Sequence, residues 1–151
     1  MKLSTKGRYG ARAMLDLALH SSATNEPITL NSIAVRQDIS EQYLEQIFSS
    51  LRKSGLVESV RGAQGGYRLG RNAEKISVGD IVRVLEGSLD PVDCISSDNT
   101  TKCERYEMCV MKDVWKKVSD SINNTVDSFT LEDLMKQYHD KNKDNEVMFY
   151  I

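Results

Sequence analysis

Apolar side chains recur at helical spacing in several stretches of the chain, and the clearest stretch lies around residue 47. Its apolar residues follow the spacing i, i+3, i+4, i+7, which places them on one face of a helix; they are Leu44, Ile47, Phe48 and Leu51. Weaker patterns predict helices over about 6–20, 29–37, 77–86 and 131–139, and a longer helix that starts near Asp113. The first of these helices is expected to bury Ala11, Met14, Leu15, Ala18 and Leu19. The pattern therefore predicts a mainly α-helical fold.

Residues 29–55 carry the end signals of two short helices joined by a tight turn. Thr29 and Ser40 are residue types that cap helix N-termini well. Glu41 follows in the first turn of the second helix, where the helix dipole favours an anion, and Gly55 ends that helix. Two helices in this arrangement are typical of a helix-turn-helix, whose second helix is the recognition helix that enters the DNA major groove.

A β-hairpin with a glycine-rich tip is predicted directly after this pair of helices. Its strands run over 56–61 and 67–69, and its tip over 62–66. The basic residues here outnumber the single acid, Glu58, and the glycines allow backbone N–H groups to come close to phosphates. A hairpin in this place is the wing of a winged helix-turn-helix domain, which we assign to residues 1–87.

Polar side chains on the recognition helix and the wing are the candidate DNA contacts. Gln42 and Gln46 can pair with adenine edges, while Glu45 can accept a hydrogen bond from a cytosine amino group and so restrict the sites that bind. Arg61, at the base of the wing, is expected to enter a narrow minor groove. The full set of expected contacts is Lys6, Arg8, Ser40, Gln42, Tyr43, Glu45, Gln46, Arg52, Arg61, Gly62, Gln64 and Gly65.

The charges of the chain are distributed unevenly. The formal net charge is −2, but residues 1–75 hold 11 Lys and Arg against 7 Asp and Glu, whereas residues 76–151 hold 9 against 15. A basic first half favours a polyanionic partner. Together with the winged domain, this predicts double-stranded DNA as the partner.

The long helix that starts near Asp113 lies outside the winged domain, and its apolar face needs a partner. Two-fold related half-sites match a two-fold dimer, so we expect a homodimer on a palindromic operator. We assign the long helix and the short helix after it to residues 113–140, followed by a tail over 141–151. The expected dimerisation residues are Val114, Trp115, Val118, Ile122, Val126 and Phe129.

All three cysteines lie between these two units, in residues 88–112; they are Cys94, Cys103 and Cys109. No apolar run is long enough to span a membrane, and the opening residues turn polar and helical at once, so we expect a cytoplasmic protein with reduced thiols and no membrane partner. An odd number of thiols there favours metal binding or redox chemistry. Three readings stay open: an iron–sulfur cluster, a structural zinc ion, which prefers four protein ligands, and reversible thiol oxidation.

Three blocks of the sequence are similar to the Rrf2 family of bacterial winged-helix regulators. They are LSTKGRYGARAMLDLAL, ISEQYLEQIFSSLRKSGLVESVRGAQGGYRLG and ISVGDIVRVLEG, and the similarity covers about residues 1–135. Within this resemblance, three cysteines after the winged domain imply an iron–sulfur cluster of the [2Fe-2S] type and a repressor that senses cluster, redox or nitric oxide status. The ending MFYI and the DIVRVLEG stretch resemble instead the family's cysteine-metabolism repressors, which respond by thiol oxidation or a partner protein without a cluster.

The resemblance leaves the fourth ligand of such a cluster open. Some cluster-binding members have a histidine three residues after the last cysteine, where this chain has Lys112, and a protonated lysine cannot ligate. Others use a carboxylate near the N-terminus of the second subunit, where this chain has Arg8. The remaining candidates are an exogenous ligand and the side chains of Glu104, Glu107 and Asp113; the chain's two histidines are His20 and His139.

Motifs of catalysis are missing from the sequence. There is no glycine fingerprint for phosphate binding, no nucleophile beside a base and no pair of carboxylates in an obvious cleft. We therefore expect a regulator rather than an enzyme.

Overall fold

The computed structural model describes residues 2–97 and 103–149, and these residues form six α-helices and a two-stranded sheet. The elements are α1 (Thr5–Thr24), α2 (Leu30–Gln37), α3 (Glu41–Lys53), β1 (Val57–Val60), β2 (Gly66–Leu69), α4 (Val78–Glu86), α5 (Met111–Asp127) and α6 (Leu131–Phe149). Short 3-10 turns cover Ala73–Lys75, Asp93–Ile95 and Tyr106–Met108. This order confirms the mainly α-helical fold with a hairpin wing.

Side-chain caps fix the ends of the α2–α3 pair as the sequence predicts. The Thr29 hydroxyl accepts a hydrogen bond from the Ser32 backbone N at 3.2 Å, and the Ser40 hydroxyl accepts one from the Tyr43 backbone N at 3.2 Å. Between the helices, Asp38 has a φ of 53°, in the left-handed region that few side chains adopt. The chain therefore turns sharply from one helix into the other.

The wing is an antiparallel hairpin that a third segment holds to the domain. Val60 pairs with Gly66 across the hairpin. Ile28, which precedes α2, exchanges two backbone hydrogen bonds with Tyr67, at 2.9 and 2.7 Å. A Cβ atom on Gly66 would lie 2.5 Å from the Ile28 carbonyl oxygen, so only glycine allows this close approach. The wing is thus fixed relative to α2.

The apolar faces of the helices and β1 meet in one core. The predicted stripe of α3 is confirmed, since its four apolar side chains are each 0% exposed. The largest fully buried side chains are Phe48, Met14, Leu17, Ile33, Leu44, Ile47, Leu51, Leu56, Ile76, Ile81, Leu131 and Val57.

The buried face of α1 differs from the predicted one. Of the expected residues, Met14 and Ala18 are buried, but three others are only partly so: Ala11, Leu15 and Leu19. The cause is close packing of α1 on α4 at two glycines. A Cβ atom on Gly10 would lie 2.0 Å from the Leu85 Cδ1 atom, and one on Gly7 would also collide with α4. The glycines add nothing to the hydrophobic pattern of α1, so that pattern predicts a buried face next to the one that is buried in the structure.

The helix α6 begins in the core and is longer than predicted. Leu131 is 0% exposed, and its backbone N donates to the Ile76 carbonyl oxygen at 2.9 Å. The sequence pattern assigns the start of α6 to the same unit as the dimerisation helix, 113–140, but the structure packs Leu131 in the core of the winged domain. The helix continues to Phe149 rather than ending at His139, because no Gly or Pro interrupts the segment. Most of the expected tail, 141–149, is therefore helical.

A buried carboxylate on α1 fastens α2 to it. Asp16 is 3% exposed and accepts hydrogen bonds from the Arg36 Nε atom at 3.0 and 3.1 Å and from its Nη2 atom at 2.6 Å. The Gln37 amide donates to Asp16 at 2.8 Å, and Arg12 donates to the Gln37 side-chain and backbone oxygens at 3.2 and 2.7 Å. Burying an ionised carboxylate is costly unless it is paired, so these bonds select one α1–α2 geometry.

We expect Asp16→Ala to lower the free energy of unfolding by about 3 kcal/mol, because the Arg36 guanidinium and the Gln37 amide lose the carboxylate to which they donate. The Arg36 side chain is 32% exposed and can reach water, which keeps the loss at the lower end for a broken buried ion pair. Urea unfolding measures the change. Asp140→Ala, at an exposed position of α6, serves as the control. A loss below about 1 kcal/mol would show that the pair does not hold the two helices.

Candidate nucleic-acid interface and cysteine segment

Lys6 at the start of α1 and the outer face of α3 border a shallow, open groove of about 540 Å³. The residues that line it are Lys6, Gln42, Glu45, Gln46, Ser49 and Ser50. The side chains of Gln42, Glu45 and Gln46 are exposed, because the opposite face of α3 is the one that packs in the core. The structure thus brings a basic residue of α1 next to the predicted base-reading residues of α3.

The wing carries four of the predicted contacts. Arg61, Gly62 and Gln64 are exposed, whereas Gly65 is partly buried. Gly62 has a φ of 115°, and the Gly65 backbone N donates to its carbonyl oxygen at 3.0 Å. A Cβ atom on Gly65 would lie 2.3 Å from the Val60 carbonyl oxygen, so the tip needs glycine for its shape. The Arg61 side chain is accessible at the base of this tight turn.

The other predicted contacts lie on the helices. Arg8, Ser40 and Arg52 are exposed. Tyr43 is partly buried, and its ring meets the ring of Tyr9 edge-on, with 6.1 Å between the ring centres. Tyr43 therefore contributes to the packing of α3 against α1.

The three cysteines are free thiols on the segment between α4 and α5. Cys94 and Cys109 are partly buried, and Cys103 is exposed. Among residues 2–97 and 103–149, no group of three His, Cys, Asp or Glu side chains is placed to hold a metal ion. Five residues of the segment, 98–102, lie outside the described ranges.

The residues considered as fourth ligands are spread over the chain. Lys112 places its ammonium 4.5 Å from the centre of the Tyr106 ring, in a cation–π contact. Three carboxylates near the cysteines are exposed: Glu104, Glu107 and Asp113. His20 contacts the Asp16 carbonyl oxygen within α1, and His139 lies on α6. Neither histidine belongs to the cysteine segment.

A buried hydroxyl attaches α5 to the start of the cysteine segment. Ser119 of α5 is 6% exposed and donates its hydroxyl to the Asp90 carboxylate. Asp90 also accepts a hydrogen bond from the Ser88 hydroxyl at 2.6 Å. These hydrogen bonds stabilise the charged form of the Asp90 carboxyl and so lower its pKa. The bond from Ser119 has the largest effect, followed by that from Ser88.

A second polar attachment joins α5 to α4 itself. The Arg83 Nη1 atom donates to the Asn123 side-chain oxygen at 2.9 Å, and its Nη2 atom donates to the Asp127 carboxylate. Ser77, which caps α4, also donates to Asp127 at 3.5 Å. These contacts were not predictable from the sequence, because isolated polar residues on an amphipathic helix look like solvent-facing positions. They place a polar side of α5 against α4.

The predicted dimerisation residues are on the rest of α5 and the turn after it. Val114, Val118 and Phe129 are between 37% and 45% exposed. The other three predicted residues are partly buried: Trp115, Ile122 and Val126. Exposed apolar side chains grouped in this way are typical of an interaction surface.

The helix-turn-helix, the fixed wing and the groove on α3 define a transcriptional regulator of the winged-helix kind, whose partner is DNA. A family model described as Rrf2, iron-dependent transcriptional regulator, matches residues 3–137. The chain belongs to this family. Across the part of the chain that the structure describes, no helix is long and apolar enough to cross a membrane.

Relatives of two kinds are similar to this chain. The regulator IscR of Vibrio campbellii is 43% identical over 148 residues, which is 98% of this chain and 81% of the relative. The regulator CymR of Bacillus subtilis is 43% identical over 151 residues, which is the whole of both chains. Its solved structure matches with a TM-score of 0.73 over 91% of this chain and 98% of CymR. The structure of T. potens IscR is 51% identical, with a TM-score of 0.72 over 91% and 88%.

The names of these relatives decide the class of function but not the signal. The V. campbellii and B. subtilis proteins are both HTH-type transcriptional regulators, which confirms the prediction of a regulator rather than an enzyme. Their equal identity to this chain does not separate the IscR type from the CymR type.

Proposed function

We propose that this chain is a homodimeric repressor in the cytoplasm, whose binding to a palindromic operator responds to iron–sulfur, redox or nitric oxide status through Cys94, Cys103 and Cys109. One observation carries the proposal. All three thiols are free, and they lie on the segment that joins the DNA-reading domain to the apolar face of α5.

The groove between α1 and α3 supports the DNA-binding part of the proposal. Its exposed amide side chains, Gln42 and Gln46, suit base edges in the major groove, and Lys6 suits a phosphate beside them. Glu45 in the same groove would penalise sites that offer no amino group to its carboxylate. Arg61 on the wing extends the basic surface beyond α3.

The two sides of α5 support the dimeric part. Its polar side is engaged by Arg83 and Asp90, so the apolar side that includes Val114 and Val118 faces away from those contacts. A second copy of the chain offers the same face and would cover it in an isologous interface.

The chemistry of the donor set supports an iron–sulfur cluster. Thiolates are the preferred ligands of such clusters, and none of the three cysteines is committed to a disulfide. Cys94, Cys103 and Cys109 would hold the group, with the fourth position open because Lys112 replaces a histidine. When bound, the group would supply a redox-active and nitric-oxide-sensitive centre on the segment.

The attachments of the segment give a route from the cysteines to the DNA-reading domain. Asp90 lies four residues before Cys94 and bonds Ser119 in the middle of α5. A change in the fold of the segment would thus shift α5 relative to α4, and with it the spacing of the two recognition helices in a dimer.

A second candidate function is favoured by the match to CymR over the full length of both chains. That protein is described as the global cysteine regulator of B. subtilis. On this alternative, the three thiols would respond by reversible oxidation, or through a partner protein, with no cluster. Lys112 at the histidine position is consistent with it.

Arg61→Ala should weaken binding at every DNA site and lower the slope of log K against log salt by about one unit, because one phosphate-equivalent charge is lost. Fluorescence anisotropy with a duplex selected by the parent protein from a random library measures both quantities. Lys143→Ala, at an exposed position late in α6, is the charge-matched control. Parental affinity at all salt concentrations would remove Arg61 from the interface.

Val118→Asp should convert the protein from a dimer to a monomer, because a charge in the centre of an apolar interface is left unpaired. Sedimentation velocity reports the mass directly. Asn124→Asp places the same charge at an exposed polar position of α5 and should leave the dimer intact. The proposal fails if the parent protein sediments at the mass of one chain.

Anaerobically purified protein should be coloured and contain iron and sulfide, and replacing Cys94, Cys103 or Cys109 by Ala should remove both, because each thiolate is a ligand. The visible spectrum and chemical iron and sulfide analysis provide the readout. Met108→Leu changes a 90% exposed residue of the same segment and should keep the colour. Reconstituted parent protein without iron or sulfide, but with DNA binding that changes on thiol oxidation, would favour the CymR-type alternative.

A further inference from the structure

The first turn of α1 is capped by a residue from the far end of α4. The Glu86 Oε1 atom accepts hydrogen bonds from the backbone N of Ser4 and of Gly7, each at 3.1 Å, and from the Ser4 hydroxyl. Free N–H groups at a helix start carry partial positive charge, so a carboxylate is favourable there. The cap joins two helices whose residues are 79 and 82 positions apart in the chain.

The close packing around Glu86 fixes the distance between the start of α1 and α4. A Cβ atom on Gly7 would lie 2.2 Å from the Glu86 Oε1 atom, and one on Gly10 would lie 2.0 Å from the adjacent Leu85. Glycines at both places let α1 lie directly on α4. The local cap alone, in which Ser4 accepts from Gly7 at 3.2 Å, would hold the helix end but not its distance from α4.

The turn that Glu86 caps also forms one wall of the groove. Lys6 lies between Ser4 and Gly7 in the chain and lines the groove together with Gln42 and Gln46 of α3. The position of the Lys6 backbone relative to α3 therefore depends on where α4 holds the start of α1.

We propose that Glu86 is a positioning residue for DNA binding, which acts by fixing the start of α1 so that Lys6 meets a phosphate while α3 reads the bases. The role rests on the proposed DNA contacts of the groove. It makes Glu86 matter for affinity although its carboxylate would contact no DNA.

The test is a double-mutant cycle on DNA binding with Glu86→Ala, Lys6→Ala and the double variant. The probe is the duplex that the parent protein selects from a random library, measured by anisotropy over a range of salt concentrations. Each single change should weaken binding roughly fivefold at about 0.15 M salt, which is the effect of one phosphate contact, and lower the salt slope by about one unit.

The double variant separates positioning from a general loss of stability. If Glu86 acts through Lys6, the double variant should bind no more weakly than either single variant, because the same contact is lost once. Independent effects would multiply to roughly 25-fold, and that result would overturn the proposal. Glu74→Ala, at an exposed acid of the Ala73–Lys75 turn, is the control and should bind as the parent does.

Glu86→Gln tests the hydrogen-bond basis and guards against a Glu86→Ala protein that folds poorly. Its amide oxygen can accept the same bonds from Ser4 and Gly7, so it should retain binding within about twofold of the parent. Equal losses in the Gln and Ala variants would overturn the proposal.

The failure of the interface and the failure of the inference are distinguishable. If Lys6→Ala and Gln46→Ala both bind as the parent does, the proposed groove is not the DNA interface and the role of Glu86 falls with it. If those two variants bind more weakly while Glu86→Ala does not, the groove stands and the positioning role is wrong.

Discussion

A carboxylate in the core has to be paired, and the α1–α2 geometry follows from the way Asp16 is paired. Arg36 and Gln37 both reach it from α2, and a guanidinium that donates to both oxygens of a carboxylate tolerates little sliding. With α2 set, the left-handed Asp38 and the Ser40 cap determine where α3 starts. The orientation of the recognition helix thus traces back to one buried charge.

The helix α5 has a polar side that bonds to the winged domain and an apolar side that is partly exposed. The Ser119 hydroxyl bonds to Asp90, and the Asn123 amide and the Asp127 carboxylate accept from Arg83 of α4. Val114, Val118 and Phe129 remain between 37% and 45% exposed. In the dimer proposed above, these exposed side chains would pack against the same face of a second copy.

Local signals in the sequence were sufficient for α2, α3 and the wing. The apolar spacing from Leu44 to Leu51 and the caps at Thr29 and Ser40 each act within a single helix, so they can be recognised from the sequence without knowing the tertiary structure. The same stripe fixes which α3 residues face outward. Contacts between distant segments were not predictable: the Glu86 cap and the burial of Asp16 leave no periodic trace. The positions of the three cysteines were not predictable either, because the described parts of their segment, 88–97 and 103–110, hold only two short 3-10 turns.

The chain returns to the winged core after α5, and this return fixes one end of that helix. The Val78 backbone N donates to the Phe129 carbonyl oxygen at 2.8 Å, and Leu131 is buried just beyond it. Ser119 is bonded to Asp90 as well, and the part of α5 from Met111 to Ser119 forms an N-terminal arm that contacts the cysteine segment through Lys112 and Tyr106. At about 1.5 Å per residue that arm is about 12 Å long, so a tilt of about 10° would move its tip by about 2 Å. The arm starts next to Cys109 and carries Val114, which lies five residues from Ser119. The same tilt would therefore move this part of the proposed dimerisation surface by about 1 Å.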